Sequence, residues 1–137
     1  MTDPAPLPLW ERGTPGVLCA AGPHAIPVST AIRAGDRRVL LALGAGRETL
    51  RRLRADPASA FCVLGGAVAF TAYGTASVVR DGLDAAPGIV AVELRVESVQ
   101  DHLADGRTEL LGGVRWRWLS EEASAAEPRI VAELDRL

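Results

Sequence analysis

The chain has 137 residues, enough for one domain with a substantial hydrophobic core. Its net charge of -2 at pH 7 argues against a general nucleic-acid binder, which carries a strong basic excess. No apolar stretch approaches the roughly 20 residues that cross a bilayer, so no membrane partner is expected. Residues 1–15 lack a basic segment followed by an apolar run, and we therefore expect a cytoplasmic protein without a signal peptide.

Two details of the composition concern the kind of organism that encodes the protein and the role of its cysteines. All 15 basic residues are Arg, which is typical of proteins from GC-rich bacteria. Cys19 and Cys62 are isolated and form no CxxC motif, so we interpret both as small buried apolar residues.

The first quarter of the chain predicts an arm and two strands. Residues 1–15 hold four of the nine prolines and form the arm, with a helical turn predicted at 9–11. Trp10 is too apolar to remain in water and is expected to pack on the body or on a second subunit. Strands are predicted at 17–21 and 25–32. Pro27 lies inside the second one and cannot donate to a ladder, so that strand needs a free side, a bulge or a bend.

The most informative stretch is residues 38–57. An apolar strand at 38–43 runs into Gly44-Ala45-Gly46, and an Arg-rich helix follows that ends at Asp56-Pro57. A helix N-terminus carries unpaired backbone N–H groups and partial positive charge, and glycines let a ligand approach the backbone closely.

The arginines of this helix leave two interpretations open. At 100° per residue, Arg47, Arg51 and Arg54 share one face, where they can bind a phosphate. The alternative is a solvated basic face in which Glu48 and Arg52 form an i,i+4 ion pair.

The rest of the chain predicts more strands and a C-terminal helix. Strands are predicted at 60–64, 67–79, 89–100 and 114–118, and alternation is clearest at 89–100. Gly74 inside the long strand indicates a bend or a close backbone approach. Ser120 is a helix N-cap, Pro128 is expected to interrupt the helix, and a second segment runs to Leu137.

Together these elements predict one mainly β domain over 1–137, with an arm at 1–15 and a C-terminal helix at 119–137. Six to seven antiparallel strands without βαβ alternation favour a small barrel, because closure removes exposed edges. One short internal helix lies between the strands.

Other reactive side chains give weaker signals. His24 and His102 share no metal-ligand spacing, and we predict no metal site; His24 is interpreted as a surface residue and His102 as a remote candidate haem ligand. Tyr73 is interpreted as a buried hydroxyl in a core strand. Trp116 and Trp118 share one strand face and pack on the C-terminal helix, on a partner subunit or at a ligand.

The order of these elements resembles the pyridoxamine-5'-phosphate-oxidase-like family, the FMN-binding split barrels. The resemblance covers roughly residues 16–118. Pro23-His24-Ala25-Ile26-Pro27-Val28 is similar to the family's second strand, and the strand, turn and Arg helix resemble its phosphate-binding segment. The ending LRADP at 53–57 and the Gly74-Thr75-Ala76 run match further family signatures.

The resemblance implies a split β-barrel homodimer with FMN at the subunit interface. Side chains of the second strand would border the flavin ring, the third strand would line the ribityl chain, and the helix start would meet the phosphate. Carried over by position, the cofactor-binding residues are Ile26, Pro27, Val28 and Ser29 for the ring, Ala42, Leu43 and Gly44 for the ribityl chain, and Arg47, Thr49 and Arg51 for the phosphate.

One departure from the family bears on the cofactor. Many members have Lys where this chain has Thr49, and Asn where it has Arg52. Thr supplies one hydrogen bond but no charge. The leading hypothesis is a flavin-dependent oxidoreductase acting on a small-molecule substrate, with the redox chemistry carried by FMN and no side chain assignable as catalytic. The alternatives are a deazaflavin coenzyme in place of FMN, a non-catalytic flavin, deazaflavin or haem binding protein, and a structural dimer with an empty site.

Overall fold

The computed structural model describes residues 5–137 and has a mainly β architecture, as predicted. Its elements are β1 (Gly16–Ala20), β2 (His24–Val28), β3 (Ala31–Arg33), β4 (Arg38–Gly44), α1 (Glu48–Ala55), β5 (Ala58–Gly65), β6 (Val68–Arg80), β7 (Ile89–Asp101) and α2 (Glu121–Asp135). The seven strands form one antiparallel sheet in the order β2-β1-β5-β6-β7-β4-β3.

The two edge strands of this sheet are neighbours in sequence. Only Ser29 and Thr30 connect β2 to β3, although five other strands lie between them in the sheet. The sheet must therefore curl until its edges approach each other. The Ala42 N–H donates to the Thr30 carbonyl at 3.0 Å, which extends the pairing of β3 with β4 into this connection. The result is a half-open barrel that agrees with the predicted split barrel.

The predicted single strand at 25–32 is wrong, because the chain leaves one sheet edge and joins the other at Ser29 and Thr30. The expectation for Pro27 is confirmed, since β2 is an edge strand paired only with β1.

The interior of the barrel is filled by one face of each strand. In β7 the residues Val90, Val92, Leu94 and Val96 are all buried, as their alternation predicted. Leu50 and Leu53 of α1 join this core at one end of the barrel. At the other end the arm packs inward, with the Trp10 ring tilted against Phe61 and Phe70 at centroid distances of 6.4 and 5.4 Å.

The arm therefore closes the barrel, and the predicted packing of Trp10 on the body is confirmed. The predicted helical turn at 9–11 is wrong: the segment is irregular, and a turn follows at 12–13.

Helix α2 covers the outer side of β3, β4 and β7. Its Ile130 and Leu134 pack with Ile32, Leu40 and Ala91, side chains that point away from the barrel interior. Ser120 caps the helix by accepting the Ala123 N–H at 3.2 Å. The predicted interruption at Pro128 is wrong, because α2 is continuous. Pro128 and Ser124 are both exposed, so water can hydrate the Ser124 carbonyl that the proline leaves without an intrahelical donor.

The predicted strand at 114–118 does not form. Residues 108–118 have no regular secondary structure and pair with no described strand; Trp116 instead donates its ring N–H to the Gly13 carbonyl at 2.6 Å. The strand number is nevertheless within the predicted range, because the break after β2 adds one strand and this segment removes one. Gly74 behaves as predicted: it lies at a register shift, and a Cβ there would be 1.9 Å from the Arg95 carbonyl oxygen.

A second outer side of the sheet is covered by neither helix of residues 5–137. Cross-strand pairing places two rows of side chains on it, and we call these eight residues the open face: Tyr73, Ala60, Cys19 and Ala25 in one row, and Thr71, Cys62, Val17 and Pro27 in the other. Two predictions are corrected here. Tyr73 is exposed rather than buried, and both cysteines are only half-buried.

Candidate cofactor cleft

The curling of the sheet brings the end of β2 against the end of β4. The chain enters this region through Pro27 and Val28, crosses the gap at Ser29 and Thr30, and meets the strand that leads into Gly44. Two segments that are far apart in the sheet order thus become neighbours. These are the segments that the family resemblance assigned to the flavin ring and the ribityl chain.

A cleft of about 180 Å³ lies at this junction. Seven of the ten predicted cofactor-binding residues line it, namely Pro27, Val28, Ser29, Ala42, Leu43, Gly44 and Arg47. The remaining lining residues are Thr30, Ile89, Trp118, Glu127 and Ile130. The lining is largely apolar with a few polar groups, which is the usual chemistry of a small-molecule site.

Three of the ten predicted residues lie outside this lining. Ile26 points the other way from Pro27 and packs against the barrel core. Thr49 is only 1% exposed, and its hydroxyl is hydrogen-bonded to the His24 ring at 2.9 Å. His24 is therefore engaged in a structural contact rather than free on the surface.

Arg51 is held by a neighbour on its own helix. Its guanidinium forms an ion pair with Glu48, and this contact lowers the pKa of Glu48 and raises the pKa of Arg51. Glu48 also lies 3.4 Å from the Nε of Arg52. The solvated-pair interpretation of the basic face is thus correct for Arg51 and Arg52, and Arg54 pairs with Asp81.

Arg47 differs from the other arginines of this segment. It occupies the N-cap of α1 in an extended conformation and is exposed, and its guanidinium forms no hydrogen bond or ion pair with any described residue. Its guanidinium and the first N–H groups of α1 can therefore bind an anion at one end of the cleft.

The sequence missed the contribution of α2 to the cleft, whereas a ligand contact was one of the alternatives left open for Trp116 and Trp118. Trp118 and two α2 residues, Glu127 and Ile130, complete the lining. The alternation of Trp116 and Trp118 was a usable signal, and the two rings pack edge to face at 5.2 Å. Nothing local marks Glu127, which reaches Thr30 across 97 positions of sequence.

The site contains no group of side chains that suggests metal chemistry. Among residues 5–137 no three His, Cys, Asp or Glu side chains come together as a possible metal site. His102 is exposed and pairs with Thr71, far along the sheet from the cleft. In the described part of the chain, no helix is long and apolar enough to cross a membrane.

Comparison with known proteins shows similarity at the level of structure. No family model and no curated protein matches the chain. A putative pyridoxamine 5'-phosphate oxidase from Listeria innocua superposes with a TM-score of 0.54 at 18% identity, covering 65% of this chain and 88% of the other. HupZ from Group A Streptococcus gives a TM-score of 0.56 at 12% identity, with 75% and 90% covered. A heme binding protein from Mycobacterium smegmatis gives 0.51 at 20% identity, with 84% and 56% covered.

This protein has the split-barrel fold of pyridoxamine 5'-phosphate oxidase-like proteins. The predicted fold is therefore confirmed. At these identities the similarity concerns the split-barrel fold, and the function of this protein has to be argued from its cleft.

Proposed function

We propose that this split barrel binds FMN in the cleft between β2 and β4, with the phosphate at Arg47. The observation that supports the proposal is the composition of the cleft. Apolar side chains from two strands line it, and one unpaired guanidinium lies at the start of a helix beside them. An aromatic ring system with a phosphate tail fits this combination.

The size of the cleft indicates that one chain supplies only part of the site. Its volume of about 180 Å³ is below the roughly 300–1,000 Å³ typical of small-molecule sites. FMN would therefore extend beyond this chain, and we propose that a second copy completes the binding site.

The open face supports a homodimer. Its two rows contain no charged side chain, and Val17 and Tyr73 on it are 38% and 44% exposed. A two-fold interface must be complementary to itself, which an uncharged apolar surface satisfies and a surface of one charge does not. Pro27 belongs both to this face and to the cleft, so a second copy seated on the open face would reach the cofactor site.

The chain's own residues would bind and orient the cofactor. Pro27, Val28 and Leu43 would exclude water from the ring, and Arg47 would hold the phosphate. Bound FMN would supply hydride transfer, which agrees with a cleft that has no paired acid and base. The activity we propose is flavin-dependent oxidation or reduction of a small-molecule substrate.

A non-catalytic role in binding or storing a flavin or deazaflavin is the second candidate, and it too is supported by the lack of an acid–base pair. One structural neighbour is a heme binding protein, but the cleft lining here includes no His, Cys, Met or Tyr to ligate haem iron. We therefore place flavins ahead of haem. Reduction of the bound flavin by a nicotinamide or another donor would separate an enzyme from a carrier.

The proposal is tested by titrating the purified protein with FMN and following flavin fluorescence. Arg47→Gln should weaken binding by about 1.5–3 kcal/mol, the usual range for a hydrogen bond to a charged group. Arg51→Gln is the matched control on the same helix, and it should leave the Kd unchanged because Arg51 is already paired with Glu48. Equal affinity in the wild type and Arg47→Gln would contradict the phosphate assignment, and a wild type that binds no FMN would remove the proposal.

A further inference from the structure

The cleft contains a carboxylate that the FMN assignment does not use. Glu127 lies in α2, is half-buried, and has both carboxylate oxygens 2.9 Å from the Thr30 hydroxyl oxygen. A hydroxyl donates a single proton, so the carboxylate keeps unused acceptor capacity. Because Glu127 lines the cleft, a ligand there can reach this capacity.

Glu127 also lacks a cation. In the described part of the chain it forms no ion pair, although the neighbouring buried acids Glu93 and Glu133 do. Arg47 lines the same cleft, yet its guanidinium and the Glu127 carboxylate form no ion pair with each other. One cleft therefore presents an unpaired cation from the α1 side and an unpaired anion from the α2 side. A charge that is partly removed from water normally has a partner.

We infer that Glu127 is a specificity-determining residue that accepts a hydrogen bond from the bound ligand. The cleft selects a ligand with an anionic group at Arg47 and an N–H or O–H donor at Glu127. This rests on the proposed FMN binding. In a flavin, the donor is either the imide N–H of the ring or a hydroxyl of the ribityl chain.

The test measures dissociation constants of three flavins for the wild type and Glu127→Gln. FMN carries all the groups, riboflavin lacks the phosphate, and lumiflavin lacks both phosphate and ribityl chain. The glutamine can still accept the Thr30 hydroxyl but is neutral, so a merely structural role is preserved. A bond to a charged acceptor exceeds a neutral one enough to predict roughly tenfold weaker binding of both FMN and riboflavin.

Lumiflavin identifies the donor. Weakening by the same factor assigns the ring imide, and unchanged lumiflavin binding assigns the ribityl hydroxyls. Glu122→Gln is the matched control, because Glu122 is exposed on the same helix and should change none of the three constants.

Two outcomes would overturn the inference while leaving FMN binding intact. Tighter binding of FMN but not of riboflavin in Glu127→Gln would mean that the carboxylate repels the phosphate. Unchanged binding of all three flavins would mean that Glu127 only tethers α2 to Thr30. A wild type that binds no flavin would instead remove this inference together with the proposed function.

Discussion

The two outer sides of the same sheet differ in what covers them and in how their charged residues are distributed. On β3, β4 and β7, the protein covers the sheet with its own helix α2, and acids are buried there with partners. Glu93 is 8% exposed and accepts from Arg38 at 2.5 Å, and Glu133 is 2% exposed. On β1, β2, β5 and β6, neither of the described helices covers the open face, and its two rows contain no charged side chain.

This difference bears on the proposed homodimer. A strand that is exposed to water on one face usually carries polar or charged residues at the positions of that face. In β7, Arg95 and Glu97 are such exposed residues. The open face lacks this pattern, although its side chains are accessible. The covered side is thus an interior, the open face has the composition that the proposed homodimer interface requires, and the cleft lies where the two sides meet.

The largest loss of stability is expected for a substitution inside the barrel, and the effects on the two outer sides can be compared with it. Leu41 is fully buried in β4, so Leu41→Ala should lower the free energy of unfolding by about 2–5 kcal/mol. Pro27→Ala, at the exposed sheet edge, should cost much less. Urea unfolding followed by circular dichroism gives both values, and equal losses would mean that the edge position of β2 is misassigned.

The open face is tested by placing a charge on it. Tyr73→Glu should weaken the proposed dimer by about 3 kcal/mol, or roughly a hundredfold in Kd, because an unpaired carboxylate would be buried in each half of a two-fold interface. Sedimentation over a concentration series measures the change. Arg95→Glu, an exposed substitution on β7, is the matched control. A wild type that is monomeric at all concentrations would show that the open face is not an interface between copies.

Sequence reasoning worked where neighbouring residues decide the structure. The strand, glycine turn and helix over 38–57 were predicted nearly to the residue, since apolar alternation and the ending at Asp56-Pro57 are local signals. The alternation in β7 likewise fixed which side chains enter the barrel. The family resemblance then supplied seven residues that the structure brings into one cleft.

The errors arose where contacts between residues far apart in sequence determine the structure. Nothing local distinguishes a strand at 25–32 from two strands on opposite sheet edges, because the break follows from closure of the barrel. Residues 114–118 alternate like a strand, but they pair with no described strand, and Trp116 instead donates its ring N–H to the Gly13 carbonyl. Thr49 and Arg51 were assigned to a phosphate by position, whereas their partners His24 and Glu48 determine where they point. The position of Glu127 in the cleft could not be predicted, because it depends on how α2 packs against the sheet.

On the covered side, Glu133 connects α2 to the loop at residues 84–85, and the stability that it contributes should depend on pH. Its carboxylate accepts the N–H groups of Ala85 and Asp84 at 2.8 and 2.9 Å and lies 3.6 Å from Arg80. The Ala85 N–H is the main reason that the pKa of Glu133 is lowered, with Asp84 and Arg80 adding to it. A lowered folded-state pKa means that the stabilisation is present above the unfolded pKa of about 4.3 and is lost as pH falls through the folded value.

Glu133→Gln should therefore lower the Tm at pH 7, and the difference from the wild type should shrink in acid. Differential scanning calorimetry at several pH values between 7 and 3 measures the difference. Glu122→Gln on the exposed side of α2 serves as the control. A difference that stays constant down to pH 3 would mean that the carboxylate charge does not hold the 84–85 loop to the helix.

The smallest expected effect concerns the start of α2. Ser120→Ala removes the side-chain cap of the Ala123 N–H and should cost about 1 kcal/mol of stability, whereas Ser120→Asp should keep the cap and favour the helix dipole. Because Trp118 and Glu127 both line the cleft, fraying of the first turn of α2 should also weaken FMN binding slightly. Urea unfolding measures the stability of the two variants, and FMN titration of the same variants shows whether their affinity for FMN changes with it. A loss of stability in Ser120→Ala with no change in FMN affinity would separate the covered side of the sheet from the cleft, because the helix start would then stabilise the fold without shaping the site.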